Sequence, residues 1–288
     1  MIALNQISYT YRHGAEALIN ASGKIDPGIH LLLGENGAGK TTLLHVIAGL
    51  LYPTKGNCLI NGRNVRDRQP STLQKLFLLT DDVEFQGRTV NEISDIHGCF
   101  YPRFSKELLV ENLGEFGMTG NEPLTKMSLG TRRKALIAYV LSLRVEVLML
   151  DEPANGLDIN AKKTLRRMLS RCTDDEQIVI VSTHTVWDLK DLFDGLMVIS
   201  RGRLLVNRPT WEIAEVLTFT ADNLPIINAL YQEQDTGMFR GIIANESGEP
   251  STEVDFNLLY SALMSPACDR IISILSQNND YGTGNLTK

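Results

Sequence analysis

Eight consecutive residues carry the clearest chemistry in this chain: Gly34-Glu35-Asn36-Gly37-Ala38-Gly39-Lys40-Thr41, followed by Thr42. They match G-x-x-x-x-G-K-[ST] in full. The glycines let a loop curl until successive backbone N–H groups point inward at one anion. Lys40 adds a point charge suited to the β- and γ-phosphates of a nucleotide, and the Thr41 hydroxyl is a ligand for Mg2+. Such a loop works only between a strand and a helix, because the helix N-terminus brings its positive dipole end to the phosphates. Both neighbours are expected here. Residues 29–33 form a short apolar run that stops at the glycines, and residues 41–51 place Leu43, Leu44, Ile47, Leu50 and Leu51 at helical spacing.

A phosphate loop serves kinases, GTPases and ATPases alike, so a second signal is needed. Leu148-Met149-Leu150-Asp151-Glu152 ends an apolar run on two acids. Asp151 is placed to hold Mg2+ through water, and Glu152 to polarise a water opposite the γ-phosphate. Acids after a strand more often cap a helix or sit in a solvated turn; the upstream loop turns the reading toward nucleotide chemistry. A third signal is Met127-Ser128-Leu129-Gly130-Thr131, followed by Arg132, Arg133, Lys134 and an apolar helix. Alone it reads as an N-cap before a basic turn. Beside the other two it is a second arrangement of serine and helix N–H groups able to bind phosphate.

These groups need a scaffold. Residues 145–150 and 178–181 are continuously apolar, as strands covered on both faces of a parallel sheet tend to be. The helical pattern at 161–169 between them completes a βαβ unit. Residues 101–116 read as a helix inside a mainly helical insertion from about 87 to 145. Residues 1–10 alternate loosely and read as an edge strand; residues 196–200 and 204–206 flank Arg201-Gly202-Arg203 as a hairpin. The expected class is α/β, with the phosphate loop on a P-loop NTPase core. After Pro209 the pattern weakens. A helix near 210–217, a strand near 238–244 and a helix over 255–264 suggest a small α+β region spanning 207–275. The polar, Gly/Asn-rich residues 276–288 are expected to be a disordered tail.

At 288 residues, 43% hydrophobic and 22% charged, the chain suits one large domain plus a smaller one. Twenty-eight Lys+Arg against 34 Asp+Glu leave a net charge of −6, which argues against a generally basic surface and a nucleic-acid partner. Cys58, Cys99, Cys172 and Cys268 form no CxxC pair and read as isolated reduced thiols. The five histidines have no metal-ligand spacing. No apolar run approaches the ~20 residues of a bilayer-spanning helix, and the first residues do not resemble a secretory signal, so a cytosolic location is expected.

Taken in chain order, 34–41, 127–131 and 148–152, the three motifs resemble those of ATP-binding-cassette (ABC) ATPases. Ser128 precedes Asp151 by 23 residues, about the spacing of that family's signature serine. Pro153-Ala154-Asn155-Gly156-Leu157-Asp158 looks like its D-loop, and His184 in Ser-Thr-His-Thr resembles its switch histidine. Tyr11, with Tyr9 as the competing choice, occupies the place of the aromatic that stacks on adenine. The resemblance covers about residues 1–206 and implies a RecA-like core with an antiparallel β lobe and a helical lobe. It assigns catalysis to Lys40, Glu152 and His184. ATP would be bound by Tyr11, residues 34–42, Ser128, Leu129, Gly130 and Asp158, with Mg2+ near Thr41 and Asp151. It further implies a head-to-tail dimer, with itself or a paralogous ATPase, in which Ser128 and Gly130 complete the partner's site.

The implied work is to power a separate integral membrane permease from the inner face of the cell membrane. Phe100-Tyr101-Pro102-Arg103-Phe104 and the short helical insertion look most like exporter-type bacterial ATPases, with substrate importers left open. The alternative is a soluble ABC ATPase of the iron–sulfur-assembly type. One motif departs. The family carries a glutamine after the strand at 76–79, where this chain has Thr80-Asp81-Asp82 and its nearest glutamine, Gln86, comes late. Asp81, or else Thr80, is expected to take that place beside the metal.

Overall fold

The computed structural model describes residues 1–80, 88–184, 192–247 and 252–277. The chain divides into two compact units, Met1–Asn207 and Arg208–Lys288.

The first unit opens with β1 (Ile2–Thr10), β2 (Glu16–Ile25) and β3 (Gly28–Leu33), then α1 (Lys40–Ile47), β4 (Lys55–Ile60) and the two-residue β5 (Arg63–Asn64). Strands β2, β1, β4 and β5 lie side by side in that order, all antiparallel. β1 is therefore central, not an edge strand. Residues 55–60 return from beyond α1 to cover its free side, and no local pattern announces that pairing. α1 also ends earlier than its apolar spacing suggests. Gly49 turns left-handed at φ 66° against the Val65 carbonyl, leaving Leu50 and Leu51 outside the helix.

The chain continues through α2 (Pro70–Leu73) and β6 (Leu76–Leu79) into three helices, α3 (Val90–His97), α4 (Lys106–Glu115) and α5 (Leu129–Ser142). Thr89, Ser105 and Ser128 cap them, each accepting an N–H from three residues on. Then come β7 (Val147–Asp151), α6 (Ile159–Cys172), β8 (Ile178–Thr183), β9 (Gly195–Ser200) and β10 (Arg203–Pro209). α6 is tied to α4 by Arg167–Glu115 and by Arg171, which reaches Glu111, Glu115 and the buried Asn112.

The second sheet runs β10-β9-β3-β8-β7-β6, and its strands from β9 to β6 pair in parallel. Every residue of β7 and β8 is buried, which is why their sequences run apolar without alternation. β9 and β10 form the expected hairpin, turning through Arg201 and Gly202, both at positive φ as a type I′ turn requires. In register, Leu33 pairs with Thr183 and Asp151 with Ser182. The carboxyl ends of β3, β7 and β8 therefore lie abreast, the edge where parallel α/β sheets bind ligands.

The second unit contains α7 (Thr210–Val216), β11 (Leu217–Asp222), β12 (Tyr231–Asp235), β13 (Met238–Ala244), α8 (Phe256–Leu263) and α9 (Cys268–Gln277). Its antiparallel sheet has the order β11-β13-β12, and Ile213, Phe219, Ile242, Leu259 and Ile271 are buried in it. α7, β13 and α8 stand where the sequence pattern places them. β12 escapes that pattern because Tyr-Gln-Glu-Gln-Asp has no apolar alternation. The first two residues of the expected disordered tail, Ser276 and Gln277, instead close α9, and residues 278–288 lie outside the described residues. Among the described residues no single helix is long and apolar enough to cross a membrane.

Candidate active site

The loop after β3 is held in shape by its own backbone. Gly39, the N-cap of α1, sits at φ 111°, and a Cβ there would lie 2.5 Å from the Ala17 carbonyl oxygen, so only glycine fits. Gly34, Ala38, Lys40 and Thr42 are buried, whereas Glu35, Asn36, Gly37 and Thr41 face outward. Ala38 N–H donates to the Glu35 carbonyl at 3.1 Å, and Gly202 N–H donates to the Ala38 carbonyl at 2.9 Å. The β9–β10 turn thus braces the loop. Lys40, only 6% exposed, donates through Nζ to the carbonyls of Gly34 (2.7 Å) and Glu35 (3.3 Å).

The ends of β7 and β8 bring side chains to that lysine. Glu152 follows β7 in the left-handed region at φ 48°, which costs a non-glycine residue about 1–2 kcal/mol and turns its side chain back toward the loop. Its Oε1 stands 3.5 Å from Lys40 Nζ, buried and without a hydrogen bond. Its Oε2 accepts from His184 Nδ1 at 3.0 Å. Thr41 Oγ1 donates to Asp151 Oδ2 at 2.6 Å. Tyr11 Oη and Thr42 Oγ1 are 3.0 Å apart, and the Tyr11 ring stands edge-on to Tyr9 with centroids 5.0 Å apart. The aromatic of β1's end is thereby fixed to the first turn of α1, with Tyr11 37% exposed and able to offer a ring face.

Ser128, Leu129, Gly130 and Asp158 form a second group. Ser128 Oγ accepts Thr131 N–H at 3.2 Å, and Leu129 is 87% exposed at the start of α5. Gly130 lies so close to the D-loop that a Cβ would come within 2.7 Å of the Gly156 carbonyl oxygen. Asp158 caps α6 through Ala161 N–H at 2.9 Å and accepts from Lys134 Nζ at 2.6 Å; that lysine holds its carboxyl below the usual range. Arg133 joins the two groups, donating to the Asp151 carbonyl at 3.3 Å. The expected metal residue Asp81, with Asp82 and Gln86, lies outside the described residues. Thr80 follows β6 and is half-buried.

Sequence reasoning missed Ser182. It bridges Asp151 and Glu152, and only its place in β8, a buried hydroxyl directly after the apolar run 178–181, hinted at a polar duty. It also gave Arg133 and Lys134 no contacts. The four cysteines are free, and burial pushes the Cys58 thiol up to about 12.

The ABC transporter family model matches residues 18–155. An energy-coupling factor transporter ATP-binding protein of Methanosphaera stadtmanae is 30% identical over 82% of this chain and 90% of its own length. This chain belongs to the ATP-binding proteins of ABC transporters. A manganese transport system ATP-binding protein of Synechocystis is 28% identical over 78% of this chain and 88% of its own. Among solved structures, the ATP-binding subunit of an ABC transporter superposes with a TM-score of 0.66 at 22% identity, covering 74% of this chain and 91% of that one. A dimeric ABC cassette bound to ADP and phosphate reaches 0.62 at 21% identity, covering 73% and 98%. An Atm1-family ABC exporter reaches 0.62 at 19% identity, covering 72% and 38%. At such identities the likeness is one of fold, and the fold is that of the ABC ATPases. Members of this family bind and hydrolyse ATP.

The donor set also fits Mg2+. Thr41 and Asp151 offer a hydroxyl and a carboxylate, two hard oxygen ligands, side by side at the loop. Among the described residues no group of three or more His, Cys, Asp or Glu side chains could cage a metal. Mg2+ needs no such cage: it is typically held by one or two protein ligands, keeping waters and taking phosphate oxygens for the rest.

Proposed function

We propose that this ABC ATPase hydrolyses ATP at the carboxyl edge of β3, β7 and β8. Lys40 draws in the β- and γ-phosphates, exchanging its bonds to the Gly34 and Glu35 carbonyls for phosphate oxygens. Backbone N–H groups of residues 36, 37 and 39–41 cradle the same phosphates, Ala38 N–H being held by the Glu35 carbonyl, and the exposed Tyr11 face receives the base. Thr41 and Asp151 would hold Mg2+, which supplies positive charge to the phosphate oxygens. Glu152 accepts the proton of the attacking water as the water oxygen bonds to the γ-phosphorus and the bond from that phosphorus to the bridging oxygen breaks, releasing ADP; His184 keeps the carboxylate oriented through its 3.0 Å contact.

The observation that carries this reading is the convergence of Lys40 from the start of α1 with Glu152 and His184 from the ends of β7 and β8. Oε1 of Glu152 is buried with the 3.5 Å ion pair to Lys40 but no hydrogen bond, so its lone pairs remain available to a reacting water. Ser128 and Gly130 start a helix whose exposed Leu129 end offers N–H groups outward, which supports a head-to-tail dimer sharing two ATP across its interface. Such a dimer would drive a separate membrane permease, and the chain would reach the inner face of the membrane through it. Export, the direction suggested by residues 100–104, gains no support from relatives named for manganese transport and for an energy-coupling factor.

Glu152→Gln tests the chemistry. The amide keeps size but not the proton acceptor, so ATP turnover should fall ~100-fold or more while ATP still binds. ATP should then hold the variant as a dimer on a sizing column. Normal turnover in Glu152→Gln would overturn the assignment.

A further inference from the structure

Asp151 and Glu152 are neighbours in the chain with opposite tasks, so the backbone must turn sharply between them, and Ser182 touches both sides of that turn. Its hydroxyl proton is donated to Asp151 Oδ1, while its oxygen accepts Glu152 N–H at 3.1 Å; the same N–H is shared with the Ser182 carbonyl at 3.0 Å. Ser182 is fully buried on β8, directly opposite Asp151 in the parallel register. A hydroxyl has one proton and two lone pairs, and here both kinds of capacity are spent on the two acids. The bond to Asp151 is charge-assisted and correspondingly strong. It leaves Oδ2 free to meet Thr41, and it anchors the N–H at the start of a residue held at φ 48°.

Ser142 shows what a serine with only a structural task does. It is equally buried, yet its hydroxyl donates at 2.6 Å to the Tyr139 carbonyl of its own helix and reaches no other side chain in that bond.

We propose that Ser182 is a positioning residue for ATP hydrolysis: it fixes the Asp151 carboxylate toward Thr41 and pins the left-handed turn that aims Glu152 at Lys40 and His184. This rests on the reading that Asp151 holds Mg2+ and Glu152 orients water. A carboxylate freed from Ser182 would rotate, and both tasks would weaken together without loss of the phosphate loop.

The test uses the full chain with Ser182→Ala, Ser182→Thr and Ser142→Ala. Turnover is measured, together with ATP affinity by displacement of a fluorescent ATP analogue, once with Mg2+ and once with EDTA. Ser182→Ala should lower kcat ~10–100-fold, the loss expected for one hydrogen bond to a charged group, with KM within ~3-fold of wild type. The gain in ATP affinity on adding Mg2+ should shrink, while affinity in EDTA stays unchanged. Ser182→Thr restores the hydroxyl and should recover most of both; Ser142→Ala should move neither. Should the alanine variant fail to fold, Ser182→Cys, of similar volume and a weaker donor, should show the same pattern in smaller measure. Wild-type kcat and Mg2+ dependence in Ser182→Ala would overturn the proposal. So would equal affinity losses with Mg2+ and EDTA that Ser182→Thr shares, since that marks a packing role. If Glu152→Gln is inactive while Ser182→Ala is normal, only the positioning role falls; an active Glu152→Gln removes the underlying reading instead.

Discussion

Single side chains in this protein are legible when their burial and charge disagree. Lys40 and Glu152 are both largely buried, and each is tolerable only because the other, two carbonyls and a histidine stand nearby. His30 in β3 shows the same conflict away from the chemistry. Its Nε2 lies 2.7 Å from the Asp26 carbonyl, and its ring packs tightly against Gly195. Burial lowers its pKa, outweighing that bond and the charges of Asp194 and Asp26. Above the ordinary histidine pKa of about 6.5 the ring is neutral folded or unfolded, and it costs nothing. Below it the unfolded chain takes up a proton that the folded one resists, so stability falls as the pH drops. Removing the titratable ring should blunt that fall. Melting curves at about pH 7.5 and 5.5 should show a smaller loss of Tm for His30→Gln than for wild type. An identical loss would place the acid sensitivity elsewhere.

At the scale of elements, the strand–loop–helix unit around Gly34–Thr41 owes its shape to two different constraints on glycine. Gly37 sits at φ 79° in open space, so a side chain there meets only backbone strain. Gly39 combines φ 111° with the Ala17 carbonyl at 2.5 Å, so a side chain would also push α1 away from β2. Gly39→Ala should therefore destabilise by roughly 1–3 kcal/mol or more, and it should weaken ATP binding at least ~10-fold by tilting the first turn of α1. Gly37→Ala should be the milder of the two in both respects. Melting temperatures and titrations with a fluorescent ATP analogue check the order, and equal effects would mean the close contact with β2 is irrelevant to the loop. α5 obeys a related rule, since Gly130 admits the D-loop backbone only because it lacks a Cβ.

The whole molecule has its phosphate loop and its Ser128 turn on different elements, joined through Arg133 and Asp151. In the proposed head-to-tail dimer each active site draws on both chains, and this can be read by complementation. Lys40→Ala removes a chain's own phosphate grip, and Ser128→Arg spoils what it offers its partner. Each variant alone should be inactive. In a mixed dimer both defects fall in one composite site and the other remains whole. Random pairing should then restore roughly a quarter of wild-type turnover, one intact site in half of the dimers. No recovery, with mixed dimers confirmed by differential tagging, would exclude a composite site that fires alone.

What the sequence determined by itself is the chemistry that local geometry dictates. A loop of N–H groups around a phosphate requires glycine at fixed intervals, and Gly34 to Thr41 spell that out within one turn of chain. Strands sealed on both faces run mostly apolar, so β3, β7 and β8 were readable, as was the helix cap Ser128; that Asp158 caps α6 only the structure showed. The central place of β1, the strand β12 and the office of Ser182 were not. Each depends on a partner that local sequence does not name: β4 lies some fifty residues from β1, and Ser182 faces Asp151 across 31 residues. The register between β7 and β8 decides which hydroxyl meets which carboxylate, and a slip of one residue would turn Ser182 to the other face of the sheet. That register is set by the packing of the two buried strands with their neighbours on both faces. The tertiary structure alone brought Lys40, Glu152 and His184 to one point.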